Sequence, residues 1–398
     1  MALSRKNALT LIFLFGIISL LGDIIYEGAR SVNGQYLNTL GVSAFVVGFV
    51  MGMGEFFGYF IRLFSGYIAD RIGSYWFFVI LGYGLLMSVP LLSISDFWAI
   101  AALLIILERI GKGLRSPAKD TLVSHGTKNI GTGLGFGILE FVDQIGAVIG
   151  PLVFTFLFIS LQTPQKTTAD YQRGYGLFWI PFLMLILILL FTFFRFKKLD
   201  KLQRLKANNS SPNIPKYFWI FLSFTFINTL GFVNFALIGY HLRSNQILPE
   251  GYIPFLYSVA MTVDAIFGII LGRLYDSLKL RNRHIYILLA LPIITAITVS
   301  LGFSKTVVLT FPAICLWGGI MGAHETVMKA VVSDITSLSN RGTSFGIFHT
   351  IYGFATFLGG VIAGFLYDIS VELMVGILIL IELLAIPMFF ALKSALKF

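Results

Sequence analysis

Runs of about twenty apolar residues recur along this chain, and they limit its fold more than any other feature. The hydrocarbon core of a bilayer is about 30 Å thick, and a helix needs about 20 apolar residues to cross it. Such runs stand at Leu9–Tyr26 (extending to about Tyr36), Val42–Leu63, Trp76–Ile94, Phe97–Leu114, Phe136–Leu161 and Leu177–Phe196. They resume at Tyr217–Leu242, Ile253–Tyr275, His284–Phe303, Val307–Val332, Phe345–Tyr367 and Leu373–Leu392. Between the sets lies Lys197–Lys216, basic and then rich in Asn, Ser and Pro, which reads as a surface linker. The expected fold is an all-α membrane protein of twelve transmembrane helices. A six-helix half (1–196) is joined by the linker (197–216) to a second half (217–398).

Composition agrees with lipid as the solvent. Only 12% of the residues are charged and 57% are hydrophobic, against about 25% charged in soluble domains. Forty phenylalanines exceed what a chain of this length hides from water by folding alone. Arg5 and Lys6 before an apolar run resemble a signal peptide. The run is too long, carries Asp23 and Glu27 and lacks an A-x-A site, so it is expected to stay as the first span. Cys315 is the single cysteine, which excludes an internal disulfide and a multi-cysteine metal site.

The net charge of +10 follows topology rather than nucleic-acid binding. With the N-terminus in the cytoplasm, the inner connections carry Arg71, Lys112, Arg115, Lys119, Lys128 and the linker lysines. In the second half they carry Arg273, Lys279, Arg281, Arg283, Lys329 and Arg341. The outer side has only Arg30, Lys166, Arg173, Arg243 and Lys305. The positive-inside rule then places both termini and the linker in the cytoplasm.

The two halves also resemble one another. Gly66 to Asp70 closes the second span and Gly272 to Asp276 the eighth; Phe136-Gly137-Ile138 recurs as Phe345-Gly346-Ile347, and Leu21-Gly22 as Leu230-Gly231. The offsets, 272 − 66 = 206, 345 − 136 = 209 and 230 − 21 = 209, are nearly constant. Such a parallel repeat is a mark of transporter folds.

These residues resemble the major facilitator superfamily. Its motif G-x-x-x-D-R-x-G stands as Gly66, Asp70, Arg71 and Gly73, with a weaker copy at Gly272 and Asp276, where Ser277 replaces the arginine. The motif R-x-x-x-G stands as Arg109 and Gly113. A glycine series associated with antiporters stands as Gly137, Gly146, Gly150 and Pro151, with Phe154 in place of its last glycine. The stretches Glu108–Pro117 and Asp143–Pro151 look like a poorly characterised prokaryotic branch. The resemblance implies a solute transporter working by alternating access, with the first, fourth, seventh and tenth helices lining a cavity. It also implies a gate, with Asp70 near Arg341–Ser344 and Asp276 near Gly131–Gly133.

Ionisable groups inside spans are costly and mark candidate sites. Asp23 and Glu27 share a face of the first span with Arg30. They can form a proton or cation site, or Arg30 can simply neutralise Glu27. On the fourth span Glu108 stands one turn before Lys112 in the favourable ion-pair order, beside the motif residue Arg109. Lys112 and Arg115 lie near the expected end of that span and can snorkel. Glu140 and Asp143 lie on the fifth span. Asp143 has no basic residue within a turn, so it needs a partner on another helix, a proton or water. Gly146 and Gly150 suit close helix packing. The second half offers Asp264, His324 and Glu325, the last one turn before Lys329. Glu382 falls on the twelfth span, expected to face away from the cavity, and its replacement by Gln is expected to be silent. No metal site is apparent, and no cofactor is implied. The absence of G-x-x-x-x-G-K-[ST] argues against a P-loop ATPase.

The reading that results is a monomeric secondary transporter in the cell membrane, moving a small solute with proton coupling and embedded in lipid. An uncoupled facilitator is the nearest alternative. A membrane-embedded enzyme or sensor is the alternative from another class.

Overall fold

The computed structural model describes residues 5–127, 132–197, 215–281, 283–336 and 341–396. All regular structure among them is helical. Eleven segments are long and apolar enough to cross a membrane. The remaining span, the fourth in chain order, is Trp98–Thr127, thirty residues long, whose charges Glu108, Arg109, Lys112, Arg115, Lys119 and Asp120 set it apart from the others.

The chain forms two compact units, Met1–Gly41 with Phe57–Asn208, and Val42–Phe56 with Asn209–Phe398. The first unit contains α1 (Arg5–Arg30), α2 (Asn33–Thr39), the later part of α3 (Ala44–Ile72), α4 (Tyr75–Gly84), α5 (Ser88–Leu91), α6 (Trp98–Thr127), α7 (Thr132–Ser160), α8 (Thr168–Leu177) and α9 (Trp179–Phe196). Here α1 packs on α6, α7 and α9, while α4 packs on α6. Close approach needs small residues. A Cβ on Gly146 would lie 2.7 Å from the Leu20 carbonyl oxygen, and one on Gly150 2.4 Å from that of Ile24.

The second unit contains the start of α3, then α10 (Lys216–Gly231), α11 (Phe235–Ser244), α12 (Tyr252–Lys279), α13 (Ile287–Gly302), α14 (Val307–Ala323), a π turn at His324–Met328, α15 (Lys329–Ile335), α16 (Arg341–Ile369) and α17 (Val371–Leu396). The packing repeats that of the first unit: α10 lies on α16 and α17, and α13 on α14. Gly359 of α16 meets Leu230 of α10, its Cβ position 2.4 Å from the carbonyl oxygen. Gly359 and Gly150 are 359 − 150 = 209 positions apart, the offset of the sequence repeat. The first helix of each half is interrupted, between α1 and α2 and between α10 and α11, although the second break comes about two turns earlier in the repeat. Interrupted helices are a recurrent feature of transporter binding regions.

Within the second unit, residues 44–52 run along α16. The Asp368 carboxylate accepts hydrogen bonds from the N–H groups of Ala44 and Phe45, both at 3.0 Å. Those donors belong to the first turn of α3, where a helix has no internal acceptors. Below them Gly48 faces Gly360 and Gly52 faces Phe357, with no room for a Cβ at either glycine.

Two boundaries and one internal turn differ from the sequence reading. The fourth span continues past Leu114 to Thr127, with Pro117 inside the helix. The sixth begins at Thr168, where Thr167 and Asp170 form a capping box. The tenth contains a π turn, which shifts the helical register between Glu325 and Lys329. Most of the linker, and part of the gate regions near Arg341–Ser344 and Gly131–Gly133, lie outside the described residues. So do the side chain of Asp70 and the surroundings of Gly137.

Candidate functional site

The longer α6 changes what its basic residues do. Arg109, Lys112, Ser116 and Lys119 recur at three- and four-residue spacing and therefore share a face. That face meets α1 and α7 inside the first unit. Lys119 Nζ lies 3.7 Å from Asp143 Oδ2 on α7 and donates to Ser19 Oγ on α1 at 2.9 Å. Asp143 thus finds its partner on another helix, and its Oδ1 has none among the described residues. Asp23, one turn after Ser19, lies within electrostatic reach of Asp143, Lys112, Lys119 and Glu27. It is also held against α7, since a Cβ on Gly146 would sit 2.9 Å from Asp23 Cβ.

Further along the same face, the Lys112 ammonium lies 3.9 Å from the centroid of the Tyr26 ring and donates to the Tyr26 hydroxyl. The Arg109 guanidinium approaches that ring at 5.2 Å, a cation–π arrangement. Glu108 pairs with Arg109 at 3.3 Å rather than with Lys112. Glu108 Oε1 is buried without a partner among the described residues. Glu27 lies 3.8 Å from Arg30. Neither Lys112 nor Arg115 snorkels. Arg115 is 5% exposed, donates to the Gly82 carbonyl at 3.4 Å and lies over Tyr83, because three more turns of α6 follow it.

Asp23, Glu27, Glu108, Arg109 and Asp143 are therefore brought together. Glu140, one turn before Asp143, is exposed. Sequence reasoning missed Lys119, Tyr26 and Ser19, and it read Lys112 only as a partner of Glu108 or a residue at the end of the span. The signal was present in the periodic basic stripe of α6, but it was hidden by ending that span at Leu114.

In the second unit, Asp264 is buried on α12 against Gly322 of α14. Glu325 is exposed, and no ion pair joins it to Lys329 among the described residues, since the π turn intervenes. His324 is buried, with Nε2 3.2 Å from Asn228 Oδ1 and Nδ1 3.0 Å from the Tyr352 hydroxyl. The expectation for Glu382 is corrected. It is 0% exposed and accepts a hydrogen bond of 2.7 Å from Asn228 Nδ2, because α17 turns this one polar position onto α10. Among the described residues no group of three or more His, Cys, Asp or Glu is placed to hold a metal ion.

The motif glycines have separate roles. Gly73 ends the second span with φ +69°, a conformation in which glycine is at no disadvantage. Gly66 lies against Pro117, its Cβ position 3.3 Å from the proline Cβ. A Cβ on Gly272 would meet nothing within 4 Å beyond its own helix, and Asp276 is exposed.

Twelve spans in two repeated units, with buried charge on facing helices, define a multi-pass membrane transporter. The sequence profile of the Major Facilitator Superfamily matches residues 7–329, and the chain belongs to that family. It is 35% identical over 394 residues to an uncharacterised protein of Mycobacterium tuberculosis (strain H37Rv), covering 97% of this chain and 94% of the relative. It is 28% identical over 375 residues to an uncharacterised MFS-type transporter of Methanocaldococcus jannaschii, covering 91% and 89%. Among solved structures, a point variant of the nucleoside transporter NupG is similar at a TM-score of 0.77 and 15% identity, covering 96% of this chain and 99% of that one. A bacterial homologue of the human lysosomal transporter Spinster is similar at 0.70 and 13% identity, covering 98% of each. At these identities the structures share the fold.

Proposed function

We propose that this transporter moves a small solute across the cell membrane by alternating access, coupled to protons. Both termini lie in the cytoplasm, and a single chain in lipid is the working unit. The halves before and after residues 197–216 act as the two moving parts, with Asp70, Arg71 and Asp276 in the gates. The observation that carries the coupling is the Lys119–Asp143 pair with its partnerless Asp143 Oδ1. A carboxylate that binds a proton loses its attraction for a neighbouring ammonium. Protonation of Asp143 would free Lys119 from α7 while Ser19 still holds it to α1, so the α6–α7 contact is the one that weakens.

A thermal-shift screen of metabolites identifies the solute, because a ligand that binds the folded form raises its apparent stability. With that solute, flux into proteoliposomes with and without a pH gradient tests coupling. Accumulation that ignores the gradient in the wild type contradicts the proposal and leaves a facilitator.

A further inference from the structure

The second unit buries a carboxylic acid that the coupling mechanism does not use. Glu382 on α17 is fully buried, and Asn228 Nδ2 on α10 donates to its Oε2 at 2.7 Å. Glu382 Oε1 has no hydrogen-bond partner among the described residues. It occupies space left by Gly231, the last residue of α10, where a Cβ would lie 2.4 Å from it. Two more polar groups of α10, Thr225 Oγ1 one turn before Asn228 and Thr229 Oγ1 next to it in the chain, are also buried without a partner among those residues.

From Asn228 the contacts continue to His324 Nε2 at 3.2 Å and from His324 Nδ1 to the Tyr352 hydroxyl at 3.0 Å. Four side chains, from α17, α10, the π turn and α16, form one chain. It runs from a fully buried carboxyl group to the hydroxyl of a half-buried tyrosine.

No charged neighbour accounts for Glu382. The helices packed on α17 are α10, α13 and α16. The ionisable residues of α10 are Lys216 and Tyr217 in its first turn, roughly three turns from Asn228. α13 has none. α16 supplies Tyr352, together with His349 against the Phe345 and Phe348 rings, while Arg341, Tyr367 and Asp368 lie toward its ends. α17 itself carries Glu372 and Lys393 near its ends. No ion pair reaches Glu382 among the described residues. An ionised carboxylate inside a bundle with one amide partner is costly, and the neutral acid is not.

We propose that Glu382 is a proton-binding site of the second unit and that Asn228 and His324 convey its protonation state to Tyr352. With Glu382 ionised, Asn228 Nδ2–H donates to it. Asn228 Oδ1 then accepts from His324 Nε2–H, and the Tyr352 O–H donates to Nδ1. With Glu382 protonated, its O–H donates to Asn228 Oδ1 after the amide turns over, Nδ2–H donates to His324 Nε2, and Nδ1–H donates to the Tyr352 oxygen. One proton is gained overall. Water supplies it through Tyr352 to His324 Nδ1. Nε2 gives its proton to Asn228 Oδ1 while Asn228 Nδ2 gives one to Glu382. The imidic acid so formed returns to the amide by exchanging protons with the Glu382 carboxyl group as it turns over. The reverse sequence returns the proton to water. His324 is neutral at both ends of the step and changes only its tautomer. The Tyr352 hydroxyl is available as a donor to another group only when Glu382 carries the proton. This site adds to proton-coupled transport and does not depend on Asp143.

Infrared difference spectra of the purified full-length protein in phosphatidylcholine nanodiscs, titrated with pH, read the C=O stretch of protonated carboxyl groups. Glu382→Gln is expected to lose one titrating carboxyl band, and Tyr352→Phe to keep that band at a shifted frequency. Superimposable spectra of wild type and Glu382→Gln overturn the proposal. Should Glu382→Gln fail to fold, Tyr352→Phe decides, and unshifted carboxyl bands overturn it. A band abolished by sodium at constant pH identifies a metal-cation site and overturns it as well. The spectra do not report transport, so failure of coupling at Asp143 is distinguishable from failure here.

Discussion

The ring of Phe154 on α7 fills the space that a side chain at Gly174 on α8 would need. A Cβ at residue 174 would lie 2.1 Å from Phe154 Cε1. The ring is fully buried and packs edge-on against Phe158, Tyr175 and Phe178, so it has little freedom to retreat. The glycine missing from the antiporter-type series on α7 is thus matched by a glycine on the facing helix. Gly174→Ala is expected to destabilise the protein by about 1–3 kcal/mol, the usual cost of overpacking, and Phe154→Leu is expected to restore part of it. Apparent melting temperatures of the two single variants and the double variant measure this. Additive losses would show that the two sites are independent.

The Asp368 carboxylate holds the first turn of α3. Asp368→Ala is expected to cost about 0.5–2 kcal/mol, the range for a lost helix cap, toward the lower end because the residue is exposed. Hydrogen exchange at Ala44 and Phe45 should accelerate, with a smaller change in Asp368→Asn, which keeps one acceptor oxygen. Unchanged exchange at both amides would show that the two bonds contribute nothing.

Orientation is tested by labelling. Thr167 is an unsuitable position for a new cysteine, since its side chain caps α8. Gln165, two residues earlier and exposed, is suitable. In a Cys315→Ala background, Gln165→Cys is expected to react with an impermeant maleimide on intact cells, and Asn208→Cys only after permeabilisation. The reverse pattern would invert the topology.

Much of the fold was legible because lipid imposes a simple rule on length and hydropathy. The repeat at offset 209 reappears in three dimensions as Gly150 of α7 against α1 and Gly359 of α16 against α10. The site was less legible. Asp143 could be recognised as needing a distant partner, but Lys119 was hidden because its neighbours Lys112 and Arg115 suggested the end of a span. Charge in a sequence marks a membrane boundary and a buried ion pair in the same way, and only packing separates them. Glu382 was misjudged because the twelfth helix was assigned one outward face, whereas this residue lies on its inner side. The π turn at His324–Met328 leaves no compositional trace, so the Glu325–Lys329 spacing was read as an ion pair.

Coupling through Asp143 is the central claim, and one comparison tests it most directly. Proteoliposomes containing wild type or Asp143→Asn are loaded with the identified solute. Accumulation driven by a pH gradient and exchange at equilibrium are then measured on the same preparation. An amide at residue 143 cannot release a proton, so gradient-driven accumulation should fall by roughly tenfold or more, within the usual range of coupling free energies, while exchange falls much less. Wild-type levels of both activities in Asp143→Asn would contradict the account and leave the Lys119–Asp143 pair as a packing contact.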